Sequence, residues 1–241
     1  VLVAALDDEL VIRGDDGHHL TRARRLRVGE AITAGDGRGG WRPYLVADAG
    51  RGSLTLRADG EPRCEPELTP RLGVAFALTK GNKPETVVAR LTELGVDVLQ
   101  PVVAHRSVVR WDVTRIDDAL ARLNRVAHEA AMQSRRSRLP VVERPVDVEA
   151  LAGRPGLVVA DREGIAPSDL SVPGPEGWLV VVGPEGGLDE EELGALGAAP
   201  HLAVGPHVLR SETAAVAAAA ALAGRRRVLE GHGGWAKTPK S

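Results

Sequence analysis

The sequence predicts an α/β protein in two parts: a small unit of short strands, then a larger unit built as a parallel α/β sheet. Three observations carry this. Residues 1–62 hold short strand-like runs separated by turn residues. The segment 61–70, EPRCEPELTP, carries three prolines and reads as an interdomain linker. After it, apolar strands alternate with helical patterns, which is the signature of a parallel sheet covered on both faces. The chain length, 241 residues, fits one large or two small domains.

In the first part, Glu9–Ile12, Glu30–Ala34, Trp41–Val46 and Ser53–Arg57 are strand-like, and His18–Leu26 is helix-like. The run from Gly35 to Gly40, GDGRGG, matches the glycine fingerprint of dinucleotide-binding folds. That fingerprint needs a helix after it. Here a strand-like segment follows, and Asp36-Gly37 is a hairpin turn signal. In the second part, Leu72–Leu78, Val96–Val103, Leu157–Ala160 and Trp178–Val182 read as buried strands. Pro84–Leu94 is helical, with proline in its first turn. Ile116–Gln133 is helical, with apolar residues at Ile116, Leu120, Leu123, Val126, Ala127 and Ala130. Asp189–Leu196 opens with a capping box, Asp189 with Glu192 three residues on. Ser211–Leu222 is an Ala-rich helix, and the tail from Gly231 is expected to fray.

Composition excludes several classes. The single cysteine, Cys64, rules out internal disulfides and a cysteine-based zinc site. No histidine pair has helical metal-ligand spacing, so no metal is expected. The longest apolar run, Thr213 to Gly224, falls short of the about 20 residues a membrane helix needs. The N-terminus lacks a basic region ahead of an apolar run, so no signal peptide is expected. A cytoplasmic enzyme or binding protein remains. Aromatic residues are 2% of the chain, too few for base-stacking platforms. No P-loop and no nucleophile-elbow motif occurs.

The net charge of −2 hides an asymmetry. Residues 71–145 hold 13 Lys+Arg against 8 Asp+Glu, whereas residues 146–241 hold 8 against 13. The basic middle third includes Lys80, Lys83, Arg106, Arg110 and the run Gln133-Ser134-Arg135-Arg136-Ser137-Arg138. It suits a polyanion, or equally the solvated end of a helix.

Three motifs lie where strands end. Trp178 to Gly187 is a buried strand running into Gly183-Pro184-Glu185-Gly186-Gly187, with the capped helix beyond. In parallel α/β folds ligands sit at the carboxyl ends of strands, and glycine lets the backbone approach them closely. A tight strand-to-helix turn also uses Gly and Pro. The second motif is a short strand ending at Gly205-Pro206, then Leu209-Arg210-Ser211-Glu212-Thr213-Ala214. Ser211 or Thr213 would cap the following helix, and Arg210 and Glu212 form a charged pair at its N-terminus. The third is His105-Arg106-Ser107 with Arg110 and Trp111, whose arginines suit phosphates or a polar surface loop.

Taken together, Lys80-Gly81-Asn82-Lys83, Thr92-Glu93-Leu94-Gly95-Val96, Arg106-Ser107-Val108-Val109, Gln133-Ser134, Gly183-Pro184-Glu185-Gly186-Gly187 and Leu209 to Ala214 resemble the ribosomal RNA small subunit methyltransferase E family of the SPOUT superfamily. His19-Leu20, Arg24-Arg25-Leu26-Arg27, Gly29-Glu30 and Asp36-Gly37 look like that family's PUA-like β-barrel. The resemblance spans nearly the whole chain. It implies a PUA-like barrel over residues 1–66 and a SPOUT α/β domain with a trefoil knot over 70–232. It implies a homodimer that uses S-adenosyl-L-methionine to methylate N3 of one uridine of 16S rRNA in the assembled 30S subunit. The family's cofactor loops fall on Ala160, Gly183, Pro184, Glu185, Gly186, Gly187, Leu188, Val204, Gly205, Leu209, Arg210, Ser211, Thr213 and Ala214. RNA contacts fall on Arg24, Arg25, Arg27, Lys80, Lys83, Arg106, Arg135 and Arg136. Arg135 stands where the family usually has glycine, Leu188 where it has phenylalanine, and His207 where it often has arginine.

Uridine N3 becomes a nucleophile only on losing its proton, so the expected chemistry needs a base and a group to stabilise the anion. Glu212 or Glu185 is the candidate base, and Arg210 or Arg106 the candidate stabiliser. A non-catalytic RNA-binding assembly factor and a SPOUT enzyme acting on another RNA are the competing expectations.

Overall fold

The computed structural model describes residues 1–23, 25–50, 52–79, 83–108, 113–174 and 176–229. Arg24, Lys80, Gly81, Asn82, Arg110, Trp111 and the tail from Gly231 lie outside the described residues. Among the described residues two compact units emerge: Val1–Glu67 with Arg135–Leu139, and Leu68–Ser134 with the chain from Pro140 to Leu229. The sequence-based division into 1–66 and 70–232 treats each unit as contiguous; the contacts assign the stretch Arg135–Leu139 to the first.

The first unit is an antiparallel sheet in the order β1-β4-β3-β2, from β1 (Glu9–Ile12), β2 (Ala31–Gly35), β3 (Gly40–Gly50) and β4 (Ser53–Ala58). It covers a core of Leu10, Ile12, Leu20, Ala34, Tyr44, Val46, Leu54 and Leu56. The Gly35–Gly40 run is the β2–β3 hairpin, with Gly35 opposite Trp41. One Asp36 carboxylate oxygen accepts the backbone N–H groups of Arg38 (2.7 Å) and Gly40 (2.9 Å), which shapes the turn. The helix expected over His18–Leu26 starts and ends earlier. It is α1 (Gly14–His18) and one π turn, His19–Ala23, before the backbone reverses at Arg25, φ +52°.

The proline-rich segment is more ordered than an interdomain linker. Within it β5 (Arg63–Cys64) pairs with Gly40 and Trp41. Glu65 accepts a hydrogen bond from Ser137, and Arg138 reaches the Glu65 carbonyl (3.1 Å) and Glu67 (3.3 Å). Arg138 of the basic run is thus bonded within this unit.

The second unit is a parallel sheet in the order β12-β10-β11-β6-β7-β8. Its strands are β6 (Leu72–Ala77), β7 (Val98–Val103), β8 (Val141–Val142), β9 (Val146–Asp147, also on β7), β10 (Leu157–Ile165), β11 (Trp178–Val182) and β12 (His201–Leu202). Strands β6 and β11 are buried at every position, as continuous apolar runs require. One face packs on α2 (Lys83–Glu93), α3 (Ile116–Ser134) and α5 (Ser211–Leu229), through Val74, Phe76, Leu91, Leu123, Val180 and Leu222. The other packs on α4 (Glu190–Leu196) and a 3-10 turn, Val148–Leu151. Asp189 caps α4 with the expected box complete. β12 is shorter than expected and ends at Leu202, because it is an edge strand bonded only to β10.

Helix α5 is anchored by a buried ion pair. Arg226 is 3% exposed; its guanidinium lies 2.7 Å from Asp97 Oδ2 and donates to the Gly95 carbonyl (2.7 Å). Asp97 also accepts the Leu72 N–H, so the pair ties α5 to the start of β6. Replacing Arg226 by Leu strands the carboxylate and is expected to cost roughly 3–5 kcal/mol in urea unfolding. At the end of α3, Arg135 has φ +59°, the left-handed conformation of a helix C-terminal stop. A glycine meets this backbone demand without a side-chain penalty. Arg135→Gly is expected to stabilise the fold by about 1 kcal/mol, read from the same unfolding curves.

Candidate active site

A cavity of about 350 Å³ opens in the second unit, at the carboxyl ends of β10, β11 and β12. It is walled by the loop after β11, the loop between β12 and α5, and the end of the β10 core. Eleven of the residues the sequence assigned to the cofactor line it: Ala160, Gly183, Pro184, Glu185, Gly187, Leu188, Val204, Gly205, Leu209, Ser211 and Ala214. Gly186, Arg210 and Thr213 do not line it. Asp161, beside Ala160, and His207 and Val208, within the expected Val204–Ala214 loop, line it too, as do Val159, Arg162, Val182, Leu193 and Leu202, which were not expected. Val159, Arg162, Val182 and Leu202 lie on the neighbouring strands β10, β11 and β12, and Leu193 on α4, a neighbourhood that only the strand order reveals.

The loop after β11 turns tightly. The Gly187 N–H donates to the Pro184 carbonyl (2.8 Å), and Gly187 has φ +70°, which a residue with a side chain adopts only under strain. The Gly186 carbonyl accepts from Arg106 Nη1 (2.8 Å). Arg106, a candidate for catalysis and RNA contact, is thus bonded to the back of this loop. On the opposite wall the expected cap is absent. The Ser211 hydroxyl donates to the Gly183 carbonyl (2.8 Å). Arg210 occupies the cap position, its carbonyl accepting the Ala214 N–H (2.8 Å), and Thr213 lies on the exposed face. The serine is buried against the β11 loop, so its hydroxyl bridges two cavity loops and does not close the helix end.

Charge gathers beside this wall. Lys83 Nζ lies 3.2 Å from Glu185 Oε1 and 3.3 Å from Glu212 Oε1. Lys83, grouped by its charge with the RNA contacts, therefore joins both candidate bases. Those two carboxylates raise the Lys83 pKa above its ordinary value. Glu185 is held below the usual carboxylate range, first by a backbone hydrogen bond and then by Lys83, with Arg210 adding to it. At the cavity's other end Asp161 Oδ2 lies 2.7 Å from His201 Nδ1. A backbone bond from Glu163, then His201, keeps the Asp161 pKa low.

Behind the β11 loop, His105 lies 2.8 Å from Asp189 and 2.9 Å from Glu149. The fully buried Glu192 accepts the N–H groups of His105 and Asp189 (both 2.8 Å). These three acids hold the end of β7 to α4 and the 3-10 turn. Arg25 and Arg27 of the first unit are exposed, as is Arg135; Arg136 is partly buried.

Residues 66–223 match the RNA methyltransferase domain family and residues 12–59 the RNA methyltransferase PUA domain family. The ribosomal RNA small subunit methyltransferase E of Mycobacterium tuberculosis is 37% identical over 226 residues, 88% of this chain and 85% of that protein. The chain belongs to the ribosomal RNA small subunit methyltransferase E family. The Bacillus subtilis member is 29% identical over 234 residues, 91% of each chain. The crystal structure of the Neisseria gonorrhoeae member bound to S-adenosyl methionine superposes with a TM-score of 0.82 at 25% identity, covering 95% of this chain and 96% of that one. The fold is therefore the methyltransferase E arrangement, a PUA-like antiparallel domain followed by a SPOUT α/β domain. No helix among the described residues is long and apolar enough to cross a membrane.

The His105 cluster makes stability depend on pH. The hydrogen bond to Asp189 raises the His105 pKa above its ordinary 6.5. A raised folded-state pKa gives stability that is complete below the unfolded value and vanishes as pH climbs through the folded one. The melting-temperature gap between the wild type and His105→Gln is expected to be wide at about pH 5.5 and to close by about pH 9.

Proposed function

We propose that this chain methylates N3 of a uridine in 16S rRNA of the 30S subunit, with S-adenosyl-L-methionine as methyl donor. The observation that carries the proposal is the cavity at the ends of β10, β11 and β12, lined by Glu185, whose carboxylate shares the Lys83 ammonium with Glu212. The residues present fit the cofactor. A Cβ added at Gly187 or Gly205 meets nothing within 4 Å, so both walls leave open space that a side chain would occupy. Leu188, Leu193, Leu202 and Val204 give the cavity an apolar lining suited to an adenine ring. The backbone of the Gly183 and Val204–Leu209 loops offers N–H and C=O groups for its polar edges, and Asp161 a carboxylate at the rim. Once bound, S-adenosylmethionine supplies a methyl group already activated on a sulfonium.

The protein's own work is then positioning and proton removal. Glu212 takes the N3 proton. Its carboxylate is partly buried at the start of α5, beside the cavity wall. Arg210, at the α5 cap and close enough to act on Glu185, stabilises negative charge spreading onto the uracil oxygens. Arg106 serves this step indirectly, by pinning the Gly186 carbonyl. The exposed Arg25, Arg27 and Arg135, with Arg136, Arg24 and Lys80, contact rRNA phosphates by charge. The trefoil knot, the homodimer and a cytoplasmic site of action belong to the same proposal, on the strength of family membership.

The test mixes protein and labelled S-adenosylmethionine with 30S subunits from a strain lacking the modification, followed by nucleoside mass spectrometry. A 3-methyluridine peak from 16S rRNA is expected, and its absence overturns the reading. Glu212→Gln is expected to lower kcat by roughly 10²-fold or more, while cofactor binding is retained and weakened only about as far as the loss of one charge at the cluster requires.

A further inference from the structure

We propose that Lys83 is a positioning residue for methyl transfer: its ammonium ties Glu185 of the cofactor cavity to Glu212 of α5 and keeps Glu212 aligned to receive the uracil proton. The inference rests on the functional reading above and goes beyond it.

The geometry is specific. Lys83 is the first residue of α2, and Glu212 the second of α5; these two helices pack side by side on one face of the sheet. Glu185 comes from the β11 loop and lines the cavity. One nitrogen lies within 3.3 Å of a carboxylate oxygen from each. Two carboxylates that both reach one ammonium repel each other. An ammonium between them removes that repulsion and leaves the cluster with a formal charge of −1 beside the cavity. Among the described residues, Arg210 acts on Glu185, and Arg106 is bonded to Gly186 next in the chain.

The proposed step balances. When N3 loses its proton to a Glu212 oxygen, the electron pair of the N–H bond stays on the uracil. The negative charge moves from the carboxylate to the base, and Lys83 keeps its own proton throughout. The cluster's charge also opposes that of the cofactor's sulfonium. Without Lys83 the wall would carry −2 and hold the cationic cofactor too firmly relative to its neutral-sulfur product.

Lys83→Met and Lys83→Arg test this, with Lys83→Gln as the uncharged variant if Lys83→Met fails to fold. Production of 3-methyluridine by the wild type is established first. Lys83→Met is expected to lower kcat by roughly 10-fold or more and to move the acid limb of the kcat–pH profile upward, with KM for 30S subunits nearly unchanged. Lys83→Arg is expected to restore most of both. In calorimetry, Lys83→Met is expected to shift preference toward S-adenosylmethionine over S-adenosylhomocysteine by about threefold or more. An unchanged kcat and acid limb overturns the proposal. So does a rise in KM alone, which would make Lys83 a phosphate contact. If the wild type makes no 3-methyluridine, the functional reading fails, and the calorimetric preference alone decides the role of Lys83.

Discussion

Helix α5 is tied down near both ends, and the site depends on those ties. Near its C-terminus the buried Arg226 grips Asp97 and the Gly95 carbonyl at the start of the sheet. At its N-terminus the Ser211 hydroxyl holds the Gly183 carbonyl. A helix held this way presents Glu212 at a set height above the strand ends. It also closes one wall of the cavity, because Ser211 and Ala214 line it. The Ala-rich composition of α5 serves the same purpose. Ala215, Ala218 and Ala219 are fully buried, so the helix backbone lies close against the sheet.

The electrostatics follow from the same placement. A parallel sheet puts its strand ends, and the helix starts that follow them, along one edge. Partial positive charge at the N-termini of α2 and α5 meets the carboxylates of Glu185 and Glu212 there. Lys83 then settles between two acids that would repel. Behind the loop, Glu192 and Asp189 hold His105 in a separate network, so the β11 loop is braced from the side away from the cavity by Arg106 and held on the cavity side by Ser211.

Much of the architecture was legible in the residue pattern. The continuous apolar runs of β6 and β11, the Asp189–Glu192 box and the Asp36-Gly37 hairpin are written in short windows of sequence. The misreadings also have local causes. Three prolines suggested that residues 61–70 do nothing but connect; yet Arg63 and Cys64 pair with the start of β3 without needing a proline N–H. Ser211 looked like a cap because serine suits that role; burial against Gly183 gave its hydroxyl a different partner. Arg135 read only as charge, and its left-handed backbone at the end of α3 is a feature that charge does not announce.

The sequence by itself determined the two-part organisation, the strand-to-helix alternation and the two loops that wall the cavity, because hydrophobic period and turn chemistry act over a few residues. The tertiary structure alone decided the partners. Lys83 lies 102 residues from Glu185 and 129 from Glu212, and Asp97 lies 129 from Arg226. Such pairs form only when strand order brings distant strand and helix ends to one edge. Charge along the chain carries no record of that neighbourhood, so Lys83 read as one more cation in a basic stretch until the fold set it between two acids.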